Sequence, residues 1–288
     1  MTIGICRFFN RAIFVKRKLL MIAKTVTITS GKGGVGKTTT TANIAVGLAQ
    51  MGQKVVCIDS DIGLRNLDVV LGLENRIVYD LVDVVENRCR IRQAMIRDKR
   101  FEELFLIPAA QTRDKSAISP SDMIRVTDEL KPEMDWILID SPAGIERGFR
   151  NAIAPADEIF VVTNPDVSAV RDADRIIGII EAEQKGPAKL IINRVNPQLV
   201  QRGDMMDSDD VLELLAVTLI GVVPEDEHVI VSTNMGKPVV MDHHSKAGAE
   251  FINIARRMMG DDIPFAALEA KSDFFQRLAR VFKSGGNQ

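Results

Sequence analysis

A glycine-rich segment with two lysines is the feature that most constrains how this chain can fold. Residues 31–38 read Gly-Lys-Gly-Gly-Val-Gly-Lys-Thr and match the pattern G-x-x-x-x-G-K-[ST]. A β-branched run at residues 25–29 precedes the segment and a helical pattern at residues 38–51 follows it, which is the strand–turn–helix context that the pattern requires. Glycines let backbone N–H groups converge on phosphate oxygens, and the helix amino terminus adds partial positive charge. The sequence therefore predicts a nucleotide phosphate site.

Short apolar runs rich in Val, Ile and Leu alternate with helical patterns along the chain. Beyond residues 25–29, strands are predicted at residues 55–59, 104–107, 136–140, 159–162, 190–193 and 219–223. Helices are predicted at residues 38–51, 122–130, 168–183, 209–215 and 247–259. Unbroken apolar strands are typical of a parallel sheet that is buried on both faces. We therefore expect a doubly wound α/β fold of the P-loop NTPase class, with a mostly parallel sheet flanked by helices.

Charge and patterning divide the 288 residues into three predicted parts. Residues 1–21 contain Arg and Lys but no acid, and we expect a disordered basic extension, or a start at Met21. Residues 22–262 are predicted to be a single P-loop ATPase domain, because no linker rich in Pro, Gly and Ser interrupts them. Residues 263–288 are predicted to be a linker and a C-terminal amphipathic helix. The formal net charge of -2 gives no indication of a nucleic-acid binder.

The cysteines and the hydropathy exclude several other classes. The three cysteines, Cys6, Cys57 and Cys89, are far apart and form no CxxC pair, so neither a disulfide framework nor a zinc site is predicted. Reducing, intracellular surroundings are the expectation. No apolar run approaches the ~20 residues of a membrane-spanning helix. Any contact with a membrane is therefore expected at its surface.

The residues of the glycine-rich loop predict ATP and Mg²⁺ as ligands. Lys37 supplies a positive charge for the β- and γ-phosphates, and the Thr38 hydroxyl can join the Mg²⁺ shell. The other predicted phosphate-binding positions are Lys32, Gly33, Gly34, Val35, Gly36 and Thr39.

Two aspartates are expected at the carboxyl ends of strands, where α/β sheets place their ligands. Asp140 ends the strand at residues 136–140, and an apolar strand that closes on Asp is typical of a carboxylate that helps to hold Mg²⁺. Asp61 follows the strand at residues 55–59, where a carboxylate can orient the attacking water. We predict both as catalytic and metal-binding residues.

The loop resembles the deviant Walker A motif of the MinD/ParA family of ATPases, because a second lysine, Lys32, follows its first glycine. The resemblance continues through residues 59–68, 140–144, 164–175 and 221–226, and covers nearly everything from residue 21 onward. These segments look like the branch of the family that sets the division site in bacteria and plastids.

The resemblance implies further roles at the nucleotide. In this family the first lysine reaches across a dimer interface, which implies an ATP-bound homodimer in which Lys32 is a catalytic residue. Asp61 would fall in the first switch and Asp140 in the second. Asn193 would read the adenine edge, and Pro224 would flank the base.

The resemblance also implies partners and a location. A MinC-like inhibitor and a MinE-like activator would share a face near residues 164–172, with Asp166, Ser168 and Asp172 as the candidate positions. The implied function is an ATP-dependent, dimerising ATPase that recruits a division inhibitor to the membrane and so positions the septum. The implied location is the cytoplasm and the cytoplasmic face of the cell membrane, or the stromal face of a plastid envelope, with no nucleic acid expected.

Residues 271–283 form an amphipathic pattern near the C-terminus. At about 100° per residue, one face carries Phe274, Leu278 and Val281, with Phe275 and Phe282 beside it. The opposite face carries the cations Arg277, Arg280 and Lys283. Aromatic bulk opposite cations suits an anionic membrane surface, and the family resemblance supports that interpretation. The alternative is a terminal helix that packs on its own domain.

Three other functions share parts of these patterns. A ParA-type DNA-partitioning ATPase has the same loop, but is expected to carry a basic surface. An iron protein of the nitrogenase type would need paired cysteines to hold its cluster, which this chain lacks. A regulator of flagellar number is a near relative that the sequence separates poorly, although residues 59–68 and 164–175 favour the division-site branch.

Overall fold

The structure is a computed structural model that describes residues 23–114, 117–186 and 188–265. The extension predicted at residues 1–21 and the helix predicted at residues 271–283 lie outside these residues. The three-part division of the chain stays a prediction.

The described residues form an eight-stranded sheet in the order β3-β4-β2-β5-β1-β6-β7-β8. The strands are β1 (Lys24–Thr29), β2 (Val55–Asp59), β3 (Ile96–Arg97), β4 (Leu104–Ile107), β5 (Trp136–Asp140), β6 (Glu158–Thr163), β7 (Ala188–Val195) and β8 (Thr218–Pro224). Every neighbouring pair is parallel except β3 and β4. The predicted fold class, a mostly parallel doubly wound sheet, is confirmed.

Helices cover both faces of the sheet. They are α1 (Lys37–Gln50), α2 (Leu67–Leu71), α3 (Leu81–Val85), α4 (Ile91–Ala94), α5 (Pro120–Leu130), α6 (Arg147–Ile153), α7 (Val167–Ala182), α8 (Pro197–Arg202), α9 (Ser208–Leu215), α10 (Glu227–Asn234) and α11 (Lys246–Met258). Short 3₁₀ turns occur at Glu74–Arg76 and Val239–Met241. All seven predicted strands and all five predicted helices are present within two residues of the predicted bounds. The strand β3 and six of the described helices, α2, α3, α4, α6, α8 and α10, were not predicted.

The helix α1 is more deeply buried than its pattern predicts. Ile44, Ala45 and Leu48 pack into the core as expected, and Thr41 and Asn43 are buried as well. The reason is that α11 lies against α1, so that one helix covers the other from outside. The sheet on one side and α11 on the other therefore enclose α1.

The carboxyl ends of the central strands meet at one edge of the sheet. Asp59 at the end of β2 pairs in register with Asp140 at the end of β5. The strand β1 lies next to β5 and leads directly into the glycine-rich loop. The fold therefore brings the loop and the predicted acids to the same edge.

Candidate functional site

The glycine-rich loop opens α1 through backbone conformations that favour glycine. Gly34 and Gly36 have φ angles of 82° and 97°, in the left-handed region that side chains disfavour. A Cβ on Gly36 would lie 2.3 Å from Nδ2 of Asn193. In contrast, Cβ atoms on Gly33 and Gly34 would meet nothing within 4 Å. The loop therefore packs tightly against Asn193 at Gly36, whereas it is open at Gly33 and Gly34, which leaves room for a phosphate.

Lys37, Thr38 and Asp140 form a compact polar cluster at the start of α1. Lys37 Nζ lies 2.9 Å from Asp140 Oδ1, and Thr38 Oγ1 donates to Asp140 Oδ2 at 2.7 Å. Thr41 Oγ1 lies 3.3 Å from the same Asp140 Oδ1. The side chains of Lys37 and Asp140 are 8% and 2% exposed. The cluster brings together three of the predicted site residues.

The cluster fits a nucleotide with Mg²⁺. The carboxylate of Asp140 and the hydroxyl of Thr38 are the hard oxygen ligands that Mg²⁺ prefers. Lys37 supplies a buried cation beside the loop, where it can neutralise phosphate charge. The chemistry of these side chains therefore matches the group that the loop predicts.

Asp59 is a further buried carboxylate of this site, and it is not among the predicted site residues. It is 1% exposed and accepts hydrogen bonds from the backbone N–H groups of Asp61, Asn66 and Leu67 at 3.0, 3.2 and 3.1 Å. Burial and the neighbouring charge of Asp140 raise the pKa of Asp59 to about 7, against the lowering effect of those N–H groups. Asp59 ends an apolar strand as Asp140 does, and that shared pattern was the signal for it.

Asp61 lies in the loop that Asp59 holds. Ser60 joins this loop to Asp140, because its N–H and its Oγ both donate to the Asp140 backbone oxygen, at 3.0 and 2.8 Å. Asp61 itself borders a small cavity with Pro142 and Asn151. The structure therefore places Asp61 beside the Asp140 segment, at the edge where it was predicted.

Lys32 contacts α7 from the glycine-rich loop. It is exposed, and its Nζ lies 3.4 Å from Oγ of Ser168 in the first turn of α7. A Cβ on Gly31 would lie 2.3 Å from the backbone oxygen of Asp172. Asp166 caps α7, because its Oδ1 accepts from the N–H of Ala169 at 2.9 Å. Two of the residues predicted for the partner face, Ser168 and Asp172, thus lie against the beginning of the phosphate loop.

Asn193 supports the phosphate loop. It is 7% exposed, and its Nδ2 donates to the Val35 backbone oxygen at 2.7 Å. When its amide is oriented to donate, Asn164 also reaches that oxygen, at 3.2 Å. Pro224 ends β8, where the next residue, Glu225, donates its N–H to Val195. The adenine-reading role of Asn193 and Pro224 stays a prediction.

The residues predicted to bind membrane lie outside the described part of the chain. They are Phe274, Phe275, Arg277, Leu278, Arg280, Val281, Phe282 and Lys283. Among the helices that the structure does describe, none is long and apolar enough to span a bilayer.

The sheet order, the loop after β1 and the acids at the ends of β2 and β5 define a P-loop nucleotide-binding protein. The sequence model of the CobQ/CobB/MinD/ParA nucleotide binding domain matches residues 26–239. The chain belongs to this family.

Several well-matched relatives come from one branch of the family. The septum site-determining protein MinD of Bacillus subtilis is 51% identical over 253 residues, which are 87% of this chain and 94% of that protein. In the MinC:MinD cell division protein complex of Aquifex aeolicus, a chain with a TM-score of 0.80 and 47% identity covers 85% of this chain and 99% of its own length. MinD of Pyrococcus horikoshii with Mg-ADP has a TM-score of 0.74 and 30% identity, and covers 84% of this chain and 100% of its own.

Proposed function

We propose that this chain is an ATP-dependent, dimerising ATPase that associates with the membrane and positions the division septum. The relatives that carry septum site-determining names support the biological role. The observation that carries the molecular proposal is the exposure of Lys32. Its Nζ lies 3.4 Å from Ser168 Oγ, whereas Lys37 is buried and lies 2.9 Å from Asp140 Oδ1. A lysine in this position is available to the nucleotide of a second subunit.

The residues of one subunit would bind ATP and Mg²⁺ in defined roles. Lys37 and the loop N–H groups would hold the phosphates, while Thr38 and Asp140 would hold the metal, which neutralises charge between the β- and γ-phosphates. Asp61 would orient the water that attacks the γ-phosphate. Lys32 of the second subunit would complete the site, so hydrolysis would be slow until dimerisation and would respond to a partner.

The partner face would lie at the amino end of α7. Asp166 and Ser168 are exposed there, and Asp172 is half-buried against Gly31. The Aquifex aeolicus MinD structure in complex with MinC supports a MinC-like partner for this chain. A MinE-like activator that bound the same face would act on the loop through Lys32 and Gly31, with which Ser168 and Asp172 are in contact.

The helix predicted at residues 271–283 would bind an anionic membrane weakly on its own. Each basic residue near such a surface contributes about 1 kcal/mol, and a single short helix binds reversibly. Two helices in one dimer gain avidity, on the order of 10²–10⁴-fold when geometry permits. ATP binding would bring the protein to the membrane, and hydrolysis would release it.

Vesicle co-sedimentation tests the proposal. We expect the full chain to pellet with anionic vesicles in ATP and to remain in the supernatant in ADP. Deletion of residues 271–288 should abolish pelleting and leave ATP binding unchanged, because the phosphate cluster lies wholly within the described domain. Pelleting of the truncated chain in ATP would refute the membrane helix.

A DNA-binding control separates the ParA-type alternative. We expect no ATP-dependent shift of duplex DNA at physiological salt. An ATP-dependent shift together with no vesicle binding would favour DNA partitioning over septum positioning.

A further inference from the structure

The chain leaves α11 through a turn that folds it back onto the helix. Gly260 has a φ of 97° and donates its N–H to the Arg257 backbone oxygen at 3.0 Å. Asp261 donates its N–H to the Arg256 backbone oxygen at 3.0 Å and accepts from Arg256 Nε at 2.9 Å. The reversed chain then runs beside the last turn of α11.

Arg257 holds this returning segment at three consecutive residues. Its Nε donates to the Ile263 backbone oxygen at 3.0 Å and its Nη2 to the Pro264 backbone oxygen at 3.1 Å. The Phe265 ring centroid lies 4.3 Å from the guanidinium carbon. The planar guanidinium can make these contacts together because its donors are fixed in one fork.

The same side chain is anchored in the domain from its other side. Arg257 Nη1 donates to the Ile220 backbone oxygen in β8 at 3.0 Å and to Glu250 Oε1 at 2.7 Å. The side chains of Arg257 and Glu250 are only 7% and 6% exposed. Glu250 Oε2 accepts in turn from Asn253 at 3.0 Å. Arg257 therefore joins the exit of the chain to the edge strand and to a buried carboxylate.

This attachment lies far from the carboxyl ends of the strands, where the phosphate loop is. The amino end of α11 meets the carboxyl end of β8, where the Ala247 N–H donates to Asp226 at 3.2 Å. The carboxyl end of α11 reaches Ile220, toward the start of β8. A helix of this length spans roughly 20 Å at about 1.5 Å per residue. Residues 263–265 thus lie toward the amino end of β8, opposite the end of the sheet that carries the phosphate loop.

We propose that Arg257 is a positioning residue for membrane binding, an inference that rests on the proposed function. By fixing residues 263–265 on the domain, it limits the tether before the predicted helix to residues 266–270. Without these Arg257 contacts, which we call the clamp, Gly260 and Asp261 would stay bound to the last turn of α11 through their backbone N–H groups. Residues 262–265 would join the tether, which would grow from about five to about nine residues and lower the effective concentration of the second helix about twofold. The clamp therefore sets the strength of ATP-dependent binding and leaves single-helix binding unchanged.

The test compares two adjacent arginines in the full-length protein. Arg257→Lys keeps a cation beside Glu250 but cannot bind the two backbone oxygens as a planar fork does. Arg256→Lys is the matched control, because the Arg256 side chain is 48% exposed and contacts Asp261 rather than residues 263–265. We expect the vesicle concentration for half-maximal pelleting in ATP to rise about twofold for Arg257→Lys, and to stay unchanged for Arg256→Lys.

Two further measurements separate a tether effect from a folding defect. Four Gly and Ser residues inserted after Phe265 should reproduce the loss of Arg257→Lys. In ADP, at vesicle concentrations high enough to measure the weak binding of a single helix, both arginine variants should bind as the unchanged chain does. Circular dichroism should show both variants folded at the assay temperature.

Each other outcome is decisive. Undiminished binding by Arg257→Lys, no effect of the insertion, or an equal loss in ATP and ADP would each overturn the positioning role. Absence of ATP-dependent pelleting by the unchanged chain would instead contradict the proposed function itself, and the positioning role with it.

Discussion

The charges of the phosphate cluster already balance one another in the folded chain. Lys37 and Asp140 are buried and paired at 2.9 Å, and Thr38 shares the same carboxylate. Nucleotide and metal would replace this pair with two charge-assisted interactions, one for each side chain. Lys32 has a different setting, because it is exposed and lies only 3.4 Å from a hydroxyl. The two lysines of one loop should therefore respond differently to substitution.

We predict that Lys37→Ala and Lys32→Ala separate binding from dimerisation. Lys37→Ala should abolish ATP binding, and should destabilise the nucleotide-free protein by about 3 kcal/mol because it leaves Asp140 buried without its cation. Lys32→Ala should retain ATP binding and thermal stability but remain monomeric in ATP. Calorimetric titration, thermal unfolding and light scattering measure the three properties. An ATP-dependent dimer of Lys32→Ala would contradict the shared site.

An ion pair at the start of α10 gives a prediction of pH dependence. His228 Nδ1 lies 2.6 Å from Asp242 Oδ2, and this hydrogen bond raises the pKa of His228, with the charges of Asp226 and Glu227 acting in the same direction. The protonated form is therefore favoured by folding. Its contribution to stability is fully present below the ordinary pKa of histidine and is lost as pH rises through the raised value.

We expect Asp242→Asn to lower the pKa of His228 toward the ordinary value. An NMR titration of the imidazole signals measures the change, and His243→Gln is the control that should leave the His228 titration unaltered. A His228 pKa that did not move in Asp242→Asn would show that the ion pair is not the cause.

Element by element, the sequence predicted what is long and periodic. The strands β2 and β5 are fully buried and apolar up to their final aspartates. The sequence therefore predicted both that these segments are strands and where they end. The strand β3 has two residues, Ile96 buried and Arg97 exposed, which is too short for any period to appear. The helices α2, α3 and α4 have five, five and four residues, and tertiary packing rather than periodicity makes them helical.

The contact between α7 and the phosphate loop gives a prediction for Gly31. Gly31→Ala would place a Cβ 2.3 Å from the Asp172 backbone oxygen, so the loop or the helix must move. We expect a loss of about 1–3 kcal/mol in the free energy of unfolding, and weaker ATP binding because the loop begins at this residue. Denaturant unfolding and nucleotide titration measure the two effects.

Gly33→Ala is the matched control for stability, because its Cβ would meet nothing within 4 Å. Equal stability of the two variants would contradict a tight contact between α7 and the loop.

At the scale of the whole molecule, the sequence predicted the fold class and the edge of the sheet that carries the site. Parallel strands made this possible, because their carboxyl ends collect Asp61, Asp140 and the loop without any knowledge of side-chain contacts. The sequence did not predict contacts between distant segments. The hydrogen bond from Asn193 to the loop joins residues that lie 158 positions apart, and the Arg257 clamp depends on a chain reversal at Gly260. Both follow from packing, on which local patterns carry no information.

The attachment of residues 263–265 to the domain makes the site where the C-terminal segment begins independent of that segment's own sequence. The clamp is built from backbone oxygens and from Glu250, and none of these contacts depends on the residues that follow position 265. If a different C-terminal peptide were joined after residue 265, the proposed ATP-dependent dimer would carry two copies of that peptide. In such a protein the C-terminal residues would determine which surface is bound, and the nucleotide in the phosphate loop would determine when it is bound.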